Sequence, residues 1–151
     1  YRFTPPESEE QDWTVEKLVD EAASDAVLVD LDQDGEKELI LISPFHGEHI
    51  YFYKKIDGDY KKVYTYDTAD FAHAIYGGTL LGKPAVIIGH RKGERNLLLF
   101  TWEQEKGQYQ VEILDRDCGP ANVFKYERGT EEVLISTNRE IDEVAMYTFE
   151  K

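Results

Sequence analysis

The sequence predicts an all-β fold: a β-propeller-type array of about three four-stranded antiparallel blades, either an incomplete ring or half of an oligomeric ring. Three observations carry this. Short apolar runs recur with a long period, Ile42 to Ile88 being 46 residues and Ile88 to Ile135 being 47, the length of one four-stranded blade. The runs are bounded by turn signals such as Ile56-Asp57-Gly58-Asp59 and Glu105-Lys106-Gly107-Gln108. Aromatic residues make up 13% of the chain, with ten Tyr, which favours strands over helices.

In chain order, Tyr1-Arg2-Phe3-Thr4 reads as the end of a third blade strand, and Thr4 to Asp12 as a polar hairpin loop. Thr14 to Ala26 has Val15, Leu18, Val19 and Ala22 at helical spacing, but the segment overlaps Trp13 to Asp20, which aligns with the repeat. Its equivalents, Tyr60 to Asp67 and Tyr109 to Asp115, read as strands, so residues 13–20 are predicted to be a stray outer strand. Three units follow at about 26–67, 72–115 and 122–151, making residues 1–151 one propeller segment. First strands are expected at Ala26 to Asp30, Ala72 to Tyr76 and Asn122 to Tyr126. Second strands are Leu39 to Ser43, Ala85 to Gly89 and Glu132 to Ser136; third strands are Ile50 to Tyr53, Leu97 to Phe100 and Val144 to Tyr147. The second strands are almost continuously apolar, as strands packed on both faces must be.

The most informative stretch is Asp30-Leu31-Asp32-Gln33-Asp34-Gly35-Glu36-Lys37-Glu38. Carboxylates at alternate positions turn inward onto one hard cation, and Gly35 permits the sharp turn. The expected ligands are Asp30, Asp32, Asp34 and Glu38 through side chains and Glu36 through its carbonyl, with Ca2+ as the cofactor. An EF-hand would close with Glu at the twelfth position, which is Leu41, and would be flanked by helices rather than by Val27-Leu28-Val29 and Leu39 to Ile42. Equivalent stretches at residues 76–82 and 126–130 lack the Asp ladder, so the other units carry no metal expectation.

Residues 27–53 resemble the FG-GAP/VCBS calcium-loop repeat of integrin α-subunit heads and many bacterial surface proteins. The resemblance implies a calcium-stabilised propeller that binds a glycan or protein ligand. It also implies a secreted, extracellular or cell-surface location, although nothing in the composition excludes the cytoplasm. Some polysaccharide lyases and sugar dehydratases resemble the same propeller type. That alternative would make His73 or His90 a general base and Arg91 or Arg139 the anchor of an acidic sugar.

A net charge of -14, from 31 acidic and 17 basic residues, argues against nucleic acid and anionic membranes as partners. No apolar run is long enough to insert into a membrane. The single Cys118 forms no internal disulfide. Three blades leave edges and faces uncovered, so either homo-oligomerisation or association with missing blades of a longer parent is expected. Antiparallel topology places the loops before first strands and after second strands at one end, opposite the Asp loop. His46, His73, His90, Arg91, Asn122 and Arg139 gather there and are the candidate ligand-binding residues. A zinc site from His46, His73 and His90 is a lesser alternative.

Overall fold

The computed structural model describes residues 1–44 and 47–150. The strands run β1 (Arg2–Thr4), β2 (Thr14–Glu16), β3 (Asp25–Val29), β4 (Glu38–Ile42), β5 (Ile50–Ile56), β6 (Asp59–Tyr66), β7 (Ala72–Leu80), β8 (Lys83–His90), β9 (Leu97–Glu103), β10 (Gln108–Asp115), β11 (Pro120–Arg128), β12 (Glu131–Asn138) and β13 (Glu143–Glu150). A 3-10 turn, Arg139–Ile141, joins the last two. They form four antiparallel sheets: β1-β2, β3-β4-β5-β6, β7-β8-β9-β10 and β11-β12-β13. The fold is therefore all-β, with strands grouped as the repeat predicts. The first strands of successive sheets are neighbours, β3 beside β7 and β7 beside β11.

Burial explains the sequence pattern. Every residue of β4 is buried, as is β8 from Ala85 to His90. Ile40, Ile42 and Phe52 of the β3–β6 sheet pack with Val86, Ile88, Leu98 and Phe100 of the β7–β10 sheet. The other side of the β7–β10 sheet uses Ile87, Leu97 and Leu99 against Val123 and Leu134. Each such side chain contributes roughly 1.5–3 kcal/mol. The far side of the β11–β13 sheet is open: Phe124, Val144 and Met146 are all exposed.

Two expectations need correction. The stray strand covers Thr14–Glu16 rather than residues 13–20, with Phe3 opposite Val15. Leu18 and Val19 leave that strand and pack on Leu39, Leu41 and Tyr53. Val15 and Ala22, the other members of the helix-like set, are exposed, so only Leu18 and Val19 cover the outer face of the β3–β6 sheet.

The second correction is the repeat register. Ser43 donates its N–H to the His49 carbonyl and His90 to the Asn96 carbonyl, so Ser43 and His90 are equivalent. Ile42 then matches Gly89, not Ile88, and the sequence alignment is one residue out there. Ile42 faces the second four-stranded sheet, whereas a Cβ on Gly89 would strike Pro120 of the third unit. Strands apolar on both faces carry no parity signal, which is why a slip of one passes unnoticed.

Candidate metal centre

Between β3 and β4 the Asp loop folds around its own backbone. Gly35 donates its N–H to Asp30 Oδ2 at 3.1 Å, Asp34 to Asp32 Oδ1 at 3.2 Å, and Glu36 to Asp34 Oδ1 at 2.9 Å. Leu31 donates its N–H to Glu38 Oε2 at 2.8 Å. Short carboxylates bonding the backbone two residues on are what Asp does in turns. Gly35, at φ 96, supplies the left-handed step that the chain needs to reverse. Leu31 is 1% exposed and belongs to the core between the two four-stranded sheets, so the loop is pinned at its second residue.

Each of the four carboxylates thus commits one oxygen to the loop and keeps a second. Asp30 Oδ1 and Glu38 Oε1 are buried without a hydrogen-bond partner. Asp32 Oδ2 and Asp34 Oδ2 accept from the Lys54 ammonium, the latter at 2.9 Å, and Glu38 Oε1 lies 3.8 Å from the same nitrogen. Asp30, Asp32 and Glu38 each offer an oxygen within 4.8 Å of the others. Asp34 stands at the edge of this group, and the Glu36 carboxylate turns outward to within 4.0 Å of Lys55. That leaves the Glu36 carbonyl as its only expected contribution. A buried carboxylate oxygen with no donor costs free energy unless a cation answers it. The donor set, all hard oxygen, suits calcium.

The electrostatics follow from this crowding. Burial pushes the Glu38 carboxyl above its ordinary range, with the Asp32 charge adding, against the Leu31 N–H that lowers it. Asp34 is held low by the Glu36 N–H and then by Lys54. For Lys54, burial works against the charge, but Asp32 and Asp34 outweigh it and hold the ammonium protonated.

The second four-stranded sheet closes over the loop. Gln104 donates Nε2–H to the Asp32 carbonyl at 2.6 Å. Trp102 lies 5.8 Å from the Lys54 ammonium, measured to the ring centroid. The Tyr109 phenol is raised by burial, then by the Glu38 and Asp32 charges. A groove of about 690 Å³ opens beside the loop, walled by Gln33, Leu80, Lys83, Trp102, Gln104 and Glu112.

At the opposite end, the topology brings most of the predicted ligand residues together. His46 lies outside the described residues. Arg91 pairs with Glu140 at 2.6 Å and covers the Phe71 ring. His73 Nδ1 is 2.8 Å from the Ala121 carbonyl, and His73, Asn122 and Arg139 are exposed. His90 is 1% exposed. Its Nδ1 bonds the Lys92 carbonyl and its Nε2 accepts the Asn96 N–H, so it is neutral and braces its own loop. Burial lowers its pKa accordingly. Ser43 does the same job in the preceding sheet, taking the His49 N–H. Cys118 is buried, and desolvation pushes its thiol up to about 11, which leaves no thiolate for chemistry.

Sequence reasoning missed Lys54. A signal existed: Leu39 pairs with Tyr53, so the residue after Tyr53 must stand opposite Glu38. Comparison with family models, with curated proteins and with solved structures finds no match for the chain.

Proposed function

We propose that the chain is a calcium-stabilised, β-propeller-type binding module. Asp30, Asp32, Asp34 and Glu38 hold the ion through their inward oxygens, with the Glu36 carbonyl completing the set. The observation that carries this reading is the buried, partnerless Asp30 Oδ1 together with the inward oxygens of Asp32 and of Glu38, whose Oε1 has no full cationic partner. The likeness of residues 27–53 to the FG-GAP/VCBS loop supports it. Because Leu31, Gln104 and Tyr109 tie the loop to the second four-stranded sheet, the ion stiffens the contact between two sheets. The bound partner is a glycan or protein bearing carboxylate or hydroxyl groups, met by Arg139, His73 and Asn122 at the opposite end.

Calorimetric titration with Ca2+ tests the first part. Binding should raise the unfolding free energy by about 2.7 kcal/mol at a hundredfold excess over Kd, and Asp32→Asn should abolish the rise. Heat and melting that ignore both calcium and chelator would sink it. For the partner, a panel of acidic and neutral oligosaccharides is the probe. Affinity that drops with Arg139→Ala supports the site named; affinity lost only with Lys83→Ala moves it to the groove beside the loop.

A further inference from the structure

We infer that Lys54 is a tethered cation that occupies the divalent ion's position in the Asp loop, so that the ion binds only by displacing it. This rests on the cation reading of the loop and adds a competitor built into the chain. The ammonium touches the inward oxygens of Asp32 and Asp34 and lies 3.8 Å from Glu38 Oε1. Those are the atoms that face a metal in the same loop. An ammonium and a calcium ion compete for these three oxygens: with calcium ligands at about 2.3–2.6 Å, a second cation on the same atoms would be held at short range from a doubly charged ion and repelled. One lysine also answers four carboxylates incompletely, since Asp30 Oδ1 stays without a donor and Glu38 is helped only by the neighbouring, neutral Tyr109 phenol. The loop is therefore held together, but not satisfied, by its own side chain.

The displaced lysine has a place to go. Lys54 lines a cavity of about 400 Å³ whose other walls include Tyr64, Trp102 and Tyr109. Aromatic faces attract ammonium groups through the ring quadrupole, more strongly where water is excluded. A four-carbon stem lets the ammonium pivot from the carboxylates to the rings without backbone movement. Exchange of calcium for lysine then sets a threshold. The loop keeps its shape at low calcium, and the ion must outcompete a neighbour of high effective concentration. Trp102 reports the exchange, because its ring meets the ammonium in one state more closely than in the other.

The test compares the full chain with Lys54→Met and Lys54→Gln, the second keeping a polar head should the first fail to fold. Calcium affinity is measured by calorimetry, and Trp102 emission is followed in a Trp13→Phe background that leaves one indole. The expected result is at least tenfold tighter calcium binding in both variants. Trp102 should respond to calcium when Lys54 is present, with most of the response lost in the variants. Without calcium, both variants should melt lower than the parent chain. Unchanged or weaker calcium binding in both variants overturns the inference while leaving the cation reading intact. A Trp102 response that persists undiminished in them also overturns it. Calcium bound by the variants but not by the parent supports the inference and overturns the calcium reading of the native chain. No calcium binding by any of them overturns both.

Discussion

Two buried glutamates face the central sheet from opposite sides, and the positive charge supplied to them differs. Glu38 opens β4 and Glu132 lies near the start of β12; they are 0% and 1% exposed. Each accepts a leucine N–H through Oε2, Glu38 from Leu31 at 2.8 Å and Glu132 from Leu81 at 2.9 Å. Each has a lysine. Lys125 lies 3.0 Å from that same Glu132 oxygen. Lys54 is shared with Asp32 and Asp34 and stands 3.8 Å from Glu38 Oε1, whose other polar neighbour is the neutral Tyr109 phenol. A buried glutamate bonded to a turn is thus no metal signal by itself. What distinguishes the Asp loop is an excess of inward oxygens over the positive charge supplied to them.

The sharpest way to break the comparison is to remove the Lys125 ammonium. The Lys125 and Glu132 side chains are both almost wholly buried, so Lys125→Met removes the countercharge of a carboxylate held between two sheets. The expected loss is about 3–5 kcal/mol in denaturant unfolding, the same with calcium or with chelator. A loss that calcium repairs would mean that the Glu132 region also takes a cation, and the distinction drawn between the two glutamates would fail.

The sequence exposed the grouping of strands and the Asp loop, and hid the register and the lysine, for separable physical reasons. Grouping was legible because strands such as Leu39 to Ile42 and Leu97 to Phe100 are buried on both faces and recur. The loop was legible because its bonds are local: Asp34 to Glu36 and Asp30 to Gly35 lie within a few residues. Register was not, because a strand apolar on both faces looks the same shifted by one. Polar residues at the strand ends would have fixed it, since Ser43, His90 and Asn138 are all buried there. Lys54 was hidden because it reaches the loop from β5, through pairing that only the folded sheet defines. His90 misled for the opposite reason. Among loop polar residues it looked available, and only burial shows that it serves its own turn.

That turn offers the next comparison, between Ser43 and His90 in the same structural position. Ser43 does not titrate; His90 does, and burial holds its pKa below the ordinary histidine value. Near neutrality His90 is neutral in both folded and unfolded chains. Below about pH 6.5 the unfolded chain binds the proton and the folded chain resists it, so stability falls with acidification. The slope from this one group is at most about 1.4 kcal/mol per pH unit, down to the folded-state pKa. His90→Ser, which installs the residue of the preceding sheet, should flatten the stability profile between pH 6.5 and 5. A profile as steep in the variant as in the parent would assign the acid sensitivity elsewhere.

The smallest effect concerns how the loop is held from outside. Gln104 donates to the Asp32 carbonyl from the turn between β9 and β10, a bond from one sheet to the loop of another. On the other side of the central sheet the bond runs the opposite way in kind: a side chain of the β11–β13 sheet, Glu132, accepts from a turn backbone, Leu81. Gln104 is exposed, so its loss should cost about 0.5–1.5 kcal/mol, the net value of one hydrogen bond. Its larger consequence is geometric. The Asp32 carbonyl lies between the second and third carboxylates of the loop, and releasing it loosens the spacing of the oxygens on either side. Gln104→Ala should therefore weaken calcium binding severalfold while leaving Lys125→Met just as costly as before, because the two sites share no partner. If calcium affinity is unchanged in Gln104→Ala although stability falls, the loop is shaped within its own sheet, and the second sheet merely rests upon it.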